Sequence, residues 1–393
     1  MGDIVLSRAV RSNLSALQST ADLIANTQTR LATGKRVNSA LDNPSNFFTS
    51  SSLNSRANDL SSLLDSVSNA IKTLEAADNG IKSLTKLVES AQAIARQAQQ
   101  STATTASVTG SVAGLTGASS FTIANGNTLT ISDGTTTTTV TSTGTVTADQ
   151  IIDAVNSTAS QTIKASLTSD GRLKLEASTA TTIVIGGTST APEKALVGLV
   201  AGTTAAGTLN TSRSSLATQF DQIRTQINQL AADSSYNGVN LLNGGSLSVV
   251  FNERGTSTLT ISGVTFTAGS RTVGADNDFN TSDDTVTGLG INASAGTFQT
   301  DKDINDALNS LTNALSTLRA QASSFGSNLS VVQTRQDFTK ATINTLRGGA
   351  DNLVLADTNE EGANLLALQT RQQLSSTALS LASQADQQVL RLF

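Results

Sequence analysis

Residues 60–98, LSSLLDSVSNAIKTLEAADNGIKSLTKLVESAQAIARQA, decide how this chain folds. Apolar residues recur there at alternating spacings of three and four, which is the pattern of a long helix packed along other helices. These seam residues are Leu60, Leu64, Val67, Ile71, Leu74, Ala77, Ile81, Leu84, Val88, Ala91, Ala95 and Ala98. Because the seam ends in alanines, a neighbouring helix can approach more closely at that end. The stretch predicts a long helix over 46–100.

The same spacing recurs near both ends of the chain. In the C-terminal third it runs from Ile304 through Leu311 and Phe325 to Val332 and resumes at Ile343. The N-terminal seam contains Val10, Leu14, Leu17, Ala21, Ile24 and Leu31, and the last seam contains Leu374, Ala378, Leu381, Ala385 and Leu392. Turn residues interrupt the first run over 34–44, and Gly348-Gly349 predicts the break before the last helix.

The middle of the chain has a different composition. Residues 101–208 are rich in Ser, Thr and Gly and alternate apolar with polar residues, as half-buried strands do. We predict a ββ-α-ββ order there, with one helix over 148–159. Helical spacing returns over 209–236 and ends at the turn pair Asn237-Gly238. Residues 245–300 are again strand-like.

The expected fold class is α+β: a long antiparallel coiled-coil rod built from both termini, with a β-rich outer domain inserted between helices. Each helix seam must be buried, and matching seams are the nearest partners. We favour burial within one chain for the seams over 56–100 and 304–350, and burial between copies for 4–31 and 368–392. The predicted segments are 1–45, 46–100, 101–208, 209–244, 245–300, 301–350 and 351–393.

Composition excludes several classes of function. The chain has 393 residues, no His and no Cys, so it cannot form a Ser-His-Asp triad, a Cys-His nucleophile or a His/Cys zinc site. A formal net charge of −5 argues against nucleic acid, which needs clustered basic residues. We expect that the protein is not an enzyme and binds no cofactor. We also expect neither a membrane span nor a cleaved secretory signal.

One acidic segment resembles the first part of a calcium loop. Its oxygen-bearing residues alternate: Asp276, Asp278, Asn280, Ser282 and Asp284. An EF-hand needs Gly where Thr281 stands and a bidentate Glu where Thr287 stands. A solvated acidic loop is therefore favoured over a metal site.

The two ends resemble bacterial flagellin of the alphaproteobacterial type. The resemblance lies in 30–44, RLATGKRVNSALDNP, in 363–374, ANLLALQTRQQL, and in the tail over 380–393. It implies a structural protomer that is exported unfolded by a type III apparatus and polymerises outside the cell. The implied partners are other copies of the chain, an export chaperone, hook-associated proteins and a cap protein, with the insert facing solvent.

The resemblance also suggests roles for the terminal residues. The interface between subunits is expected at Val10, Leu14, Leu17, Ile24, Leu31, Leu374, Ala378, Leu381, Ala385 and Leu392. A face carrying Gln373, Ser380, Gln387 and Arg391 is either a mostly uncharged channel lining or an ordinary solvated surface. Two alternatives remain: a hook-associated junction protein, and a filament protomer whose insert is an adhesin. An enzyme on a flagellin frame would need a zinc-binding His motif, which is absent.

Overall fold

In the computed structural model, long helices precede and follow a β-rich middle along the chain. The structure describes residues 8–272 and 284–390. Pro44 begins the second helix, where its missing N–H costs nothing, and Asn43 accepts the backbone N–H of Asn46 at 3.0 Å. The helices are α1 Arg8–Thr33, α2 Pro44–Gln100, α3 Ala148–Ser157, α4 Ala191–Leu196, α5 Thr211–Asp233, α6 Asp301–Val354 and α7 Thr358–Leu390.

The strands are short and mostly lie between α2 and α5. They are β1 Ser107–Thr109, β2 Ser120–Thr122, β3 Thr128–Ser132, β4 Thr137–Thr141, β5 Thr145–Thr147, β6 Ile163–Leu167, β7 Leu173–Ala177, β8 Ile183–Gly186, β9 Gly202–Thr204, β10 Ser246–Val250, β11 Thr258–Ser262, β12 Ser270–Thr272 and β13 Thr285–Thr287. Two compact units form; the first contains 1–68, 250–258 and 333–393, and the second contains 69–249 and 259–332.

The first unit packs α1 with α7 and the early part of α2 with the late part of α6. Ala57, Leu60 and Ile343 form a small buried cluster, and the Gln336 amide donates to the Ser68 hydroxyl at 3.0 Å. The hairpin tip at 250–258 joins this unit. Its contacts include the 2.8 Å ion pair between Arg56 and Glu253, and Arg335 lies over the Phe251 ring.

In the second unit the late part of α2 runs antiparallel to the early part of α6. Gln99 donates to Asn305 at 2.9 Å, and Gln92, seven residues earlier, donates to Thr312, seven residues later. The predicted seam of α2 is buried here from Ile71 to Ala98. The turn at Asn237-Gly238 has positive φ at both residues, 49° and 79°, as a type I′ turn requires.

The insert, residues 101–208, has its own hydrophobic core. Sheet β4-β3-β8-β9 and sheet β1-β7-β6 are antiparallel, and β2 pairs with β5. Helix α3 begins at a reciprocal cap in which Thr147 and Gln150 each accept the other's backbone N–H. Its buried face contributes Ile151 and Val155 to a core that includes Ile131, Ile163 and Leu175.

Two predictions about these elements are wrong. The helix does not break at Gly348-Gly349, because glycine costs only about 1 kcal/mol in a helix interior and the buried Ala350 and Val354 continue the packing. The break falls at 355–357, where the Asp357 carboxylate caps α7. The order ββ-α-ββ is also too simple, because three-residue Ser/Thr strands and the short helix α4 carry too little periodicity to be recognised.

Candidate self-assembly surface

Helices α1 and α7 form an antiparallel pair within the first unit. Near one end Arg30 donates to Glu361 at 3.1 Å, and near the other Leu17 borders Gln372 and Ser376. The least exposed positions of α7 recur at spacings of three and four, which marks the face turned toward α1. This inner seam consists of Glu361, Leu365, Leu368, Gln372, Ser375, Leu379 and Ala382.

Helix α7 carries a second apolar seam on a different face. At 100° per residue, this outer seam lies roughly 130° around the helix from the inner one. Its members are Ala363, Ala367, Thr370, Leu374, Ala378, Leu381 and Ala385, all of them exposed. Leu374 is 67% exposed and Leu381 is 62% exposed. Because the inner seam faces α1 and the outer seam lies in solvent, α7 has an apolar face left over for another chain.

The face of α1 that meets α7 alternates apolar with polar residues. Val10, Leu17, Ile24 and Leu31 repeat every seven residues on it. The intervening places are taken by Asn13, Thr20 and Thr27, and Thr20 donates back to its own helix at Ala16. This contact buries few large side chains, so the pair has only a thin core of its own.

The predicted interface residues therefore fall into two groups. Val10, Leu17, Ile24 and Leu31 face α7 in the same chain. The others within the described ranges are exposed, and this group comprises Leu14, Leu374, Ala378, Leu381 and Ala385. Leu392 lies outside the described residues. The exposed group remains the predicted surface for contact between copies.

The predicted channel-lining residues lie between the two seams of α7. Gln373, Ser380 and Gln387 are exposed, and Gln373 also borders the groove beside Leu17. Arg391 lies outside the described residues. Exposed polar side chains are expected both on a channel lining and on an ordinary solvated face. The role of these residues as a channel lining therefore stays a prediction.

The connector between α1 and α2 adds an exposed residue that sequence reasoning missed. It pairs with the 355–357 connector, since the Arg36 N–H donates to Val354 and the Ala356 N–H donates to Gly34. The backbone N–H groups of Ser39 and Asn38 donate to the Asp42 carboxylate and hold its pKa below the ordinary value. This ordered turn leaves Leu41 96% exposed.

The structure tests one member of the acidic calcium candidate. Asp284 accepts a hydrogen bond from Arg271 at 2.8 Å, and both side chains are buried. Because this carboxylate is already neutralised by a guanidinium, it is poorly placed to bind a cation. Asp276, Asp278 and Asn280 lie outside the described residues. Among the residues that are described, no cluster of acidic side chains could hold a metal ion.

A helix that spans a membrane must be both long and apolar. Within 8–272 and 284–390, none of the helices combines the length and the apolarity that a membrane span requires.

Paired terminal helices that leave an apolar seam in solvent are typical of proteins that associate with further chains. Comparisons with known families agree with this class. A family model described as the bacterial flagellin N-terminal helical region matches residues 7–119, and one described as the bacterial flagellin C-terminal helical region matches 307–393. The chain belongs to the flagellin family.

Individual relatives match parts of the chain. Flagellin FljM of Caulobacter vibrioides is 31% identical over 194 residues, which is 47% of this chain and 62% of the relative. Flagellin FljN of the same species is 38% identical over 188 residues, with the same coverage of both chains. Flagellin A of Rhizobium meliloti is 42% identical over 80 residues, 20% of each chain. The matched region thus spans less than two thirds of these Caulobacter relatives.

Proposed function

We propose that this protein is the structural protomer of a bacterial flagellar filament, assembling with copies of itself through its terminal helices. The observation that supports this most strongly is the outer seam of α7, where Leu374 and Leu381 lie exposed beside a row of alanines. The flagellin family is a structural one, and the absence of His and Cys agrees with a role that needs no catalysis.

The energetics favour assembly through this seam. Burying one leucine side chain contributes about 1.5–3 kcal/mol, and small residues between the leucines let another helix approach closely. A contact between different faces of successive copies generates an open helical polymer when its rotation does not close into a ring. Each copy added to such a polymer would bury the outer seam of its neighbour.

Family membership extends the proposal to location and partners. The filament lies outside the cell, and the chain reaches it unfolded through a type III export apparatus with a chaperone. Hook-associated proteins and a cap would bound the polymer at its two ends. These partners rest on the family resemblance alone, and the contacts described above bear only on self-assembly.

The proposal is tested with the double variant Leu374→Gln/Leu381→Gln. Both side chains are exposed in the single chain, so the monomer should keep its helix content and thermal midpoint. Polymerisation should fail, as measured by sedimentation and by electron microscopy of seeded assembly. The matched control Asn359→Gln/Asn364→Gln introduces the same residue at two exposed polar positions of α7 and should still polymerise. Long filaments from the leucine variant would refute the proposal.

A further inference from the structure

A buried arginine lies where the insert joins the helices of the second unit. Arg213, in the first turn of α5, is only 2% exposed. Its Nε donates to the Ser101 carbonyl at 2.8 Å, and Nη1 donates to the carbonyls of Phe298 and Gln299. Nη2 donates to Asp301 at 2.8 Å. A guanidinium is buried at acceptable cost only when its donors are satisfied in this way.

The insert contributes two charged residues of β7 to the same place. Lys174 Nζ lies 2.7 Å from both Glu176 Oε1 and Asp301 Oδ2. Glu176 Oε2 accepts the backbone N–H of Asp301 at 2.9 Å. That N–H is at the N-terminus of α6, where a carboxylate is favoured by the helix dipole. A residue of the insert therefore caps a helix outside it.

The two chain connections of the insert are also bonded to each other. The Thr208 N–H donates to the Thr104 carbonyl at 3.0 Å, and the Thr104 hydroxyl donates to the Thr208 carbonyl. The Asn210 amide donates to the Thr102 carbonyl at 2.7 Å. A pair of adjacent connections could still act as a hinge, but the separate attachment through β7 opposes rotation about it.

An unusual turn brings the acceptors for Arg213 into position. Gly296, Thr297 and Phe298 have φ values of 51°, 52° and 59°, the left-handed region that larger residues rarely adopt. Phe298 is fully buried edge-on to Phe220, with ring centroids 5.1 Å apart. This packing holds the turn, and Gln299 binds both polar groups of the Asn210 backbone.

From these contacts we infer that Arg213, Lys174, Glu176 and Asp301 form a rigid polar joint that holds the insert in one orientation relative to α5 and α6. In a polymer of this chain, the inserts would then repeat with the symmetry of the helices and form an ordered outer layer. A flexible tether would instead give a layer of mixed orientations. The inference concerns the single chain and does not depend on the proposed function.

Distances between spin labels in the full-length monomer test the joint. The natural chain has no cysteine, so Thr139→Cys on β4 and Ser316→Cys on α6 give two unique labels at exposed positions. The parent should show one narrow distance distribution. Lys174→Met/Glu176→Val should replace it with a broad distribution, while circular dichroism and the insert's cooperative melting are retained.

The matched control is another ion pair on the same β6–β7 hairpin. Asp170 and Arg172 pair at 2.7 Å, both side chains are exposed, and Asp170 also accepts a hydrogen bond from Thr168 of the same hairpin. Asp170→Asn/Arg172→Met should keep the narrow distribution. If the β7 variant fails to fold, Asp301→Asn removes the shared charge at constant size and should broaden the distribution. The inference would be overturned by a broad distance distribution in the parent. A narrow distance distribution in a folded Lys174→Met/Glu176→Val or Asp301→Asn variant would also overturn it.

Discussion

The insert and the terminal helix pair bury their apolar residues to very different extents. In the insert, strands and α3 enclose a core in which Ile131, Ile163 and Leu173 have no solvent exposure. Among the apolar residues of the α1–α7 pair whose burial is described, only Val10 and Ile24 are buried, and α7 leaves Leu374 and Leu381 in solvent. The insert closes its hydrophobic core within one chain, whereas the terminal pair leaves an apolar seam of α7 in solvent.

This difference separates two sources of stability. A core closed within one chain stabilises the monomer at any concentration. A seam that is filled only by another copy stabilises the polymer, and its contribution depends on protomer concentration. Variants in the two regions should therefore affect different measurements.

The largest expected effect follows removal of residues 368–393. This truncation deletes most of both α7 seams, including Gln372 and Ser376, which border Leu17 of α1. We expect a soluble, still helical monomer that forms no sedimentable polymer, because α2, α6 and the insert retain their own cores. Filaments assembling from the truncated chain would contradict the view that the terminal pair is completed by neighbours.

A large loss of monomer stability is expected from Phe220→Ala. This ring is fully buried against Phe298, and removing a buried phenylalanine costs about 3–5 kcal/mol. Urea unfolding of the monomer should show the loss in the free energy of unfolding. Phe48→Ala is the control, because that ring is exposed and its removal should change monomer stability by less than about 0.5 kcal/mol. Equal losses would contradict the difference in burial between these two rings.

A moderate effect is expected in acid, within the insert. Burial opposes ionisation of Asp133, but hydrogen bonds from Thr136, Thr135 and Thr162 outweigh it and lower its pKa to about 2. The folded pKa lies below the unfolded value, so the stabilisation is present above about pH 4 and is lost as pH falls toward 2. Its size is about 2 kcal/mol.

Unfolding measured from pH 2 to 8.5 checks this. Asp133→Asn should be less stable at neutral pH and should lose less on acidification than the parent. Burial raises the pKa of Asp303, which acts in the opposite direction and reduces the total acid effect. With no His in the chain, stability should be nearly constant between about pH 6 and 8.5. A steep change in the free energy of unfolding within this pH range would contradict the expectation that few protons are exchanged there.

The smallest effect on polymerisation is expected from removing the insert. Joining Thr102 to Leu209 through a short Gly/Ser turn is geometrically simple, because the neighbouring Asn210 already donates to Thr102 at 2.7 Å. Filaments should form but be thinner. The monomer should be less stable, since Asp301 loses Lys174 and Glu176 and keeps only Arg213. Loss of polymer with retained helix content would show that inserts contact each other during assembly.

Much of the helical architecture could be predicted because a heptad seam is a local property. Seam residues such as Leu74, Leu84 and Leu311 are buried as predicted. The prediction was weaker in the insert, where strands of three residues provide too few alternations. It also failed at Gly348-Gly349, because local propensity costs little compared with continued packing at Ala350 and Val354.

For the candidate site, periodicity identified Leu374, Ala378, Leu381 and Ala385 as one apolar face, and the structure leaves that face exposed. Periodicity did not show that α7 has a second, inner seam containing Gln372 and Ser375, because polar residues conceal it. Leu41 was missed for a related reason: its exposure depends on the turn that Asp42 orders, and a single leucine in a polar loop has no periodicity.

The sequence by itself determined where the long helices lie, that the middle is β-rich, and that catalysis by His or Cys is impossible. Only the tertiary structure decided which seam packs against another helix of the same chain, and which residues bond the insert to α5 and α6. The Arg213 guanidinium donates hydrogen bonds to Ser101, Phe298, Gln299 and Asp301. Ser101 lies far from the other three in sequence, so the sequence does not reveal that all four surround one side chain. The physical reason is that periodicity is set by each residue's neighbours in sequence, whereas burial and ion pairing are set by neighbours in space.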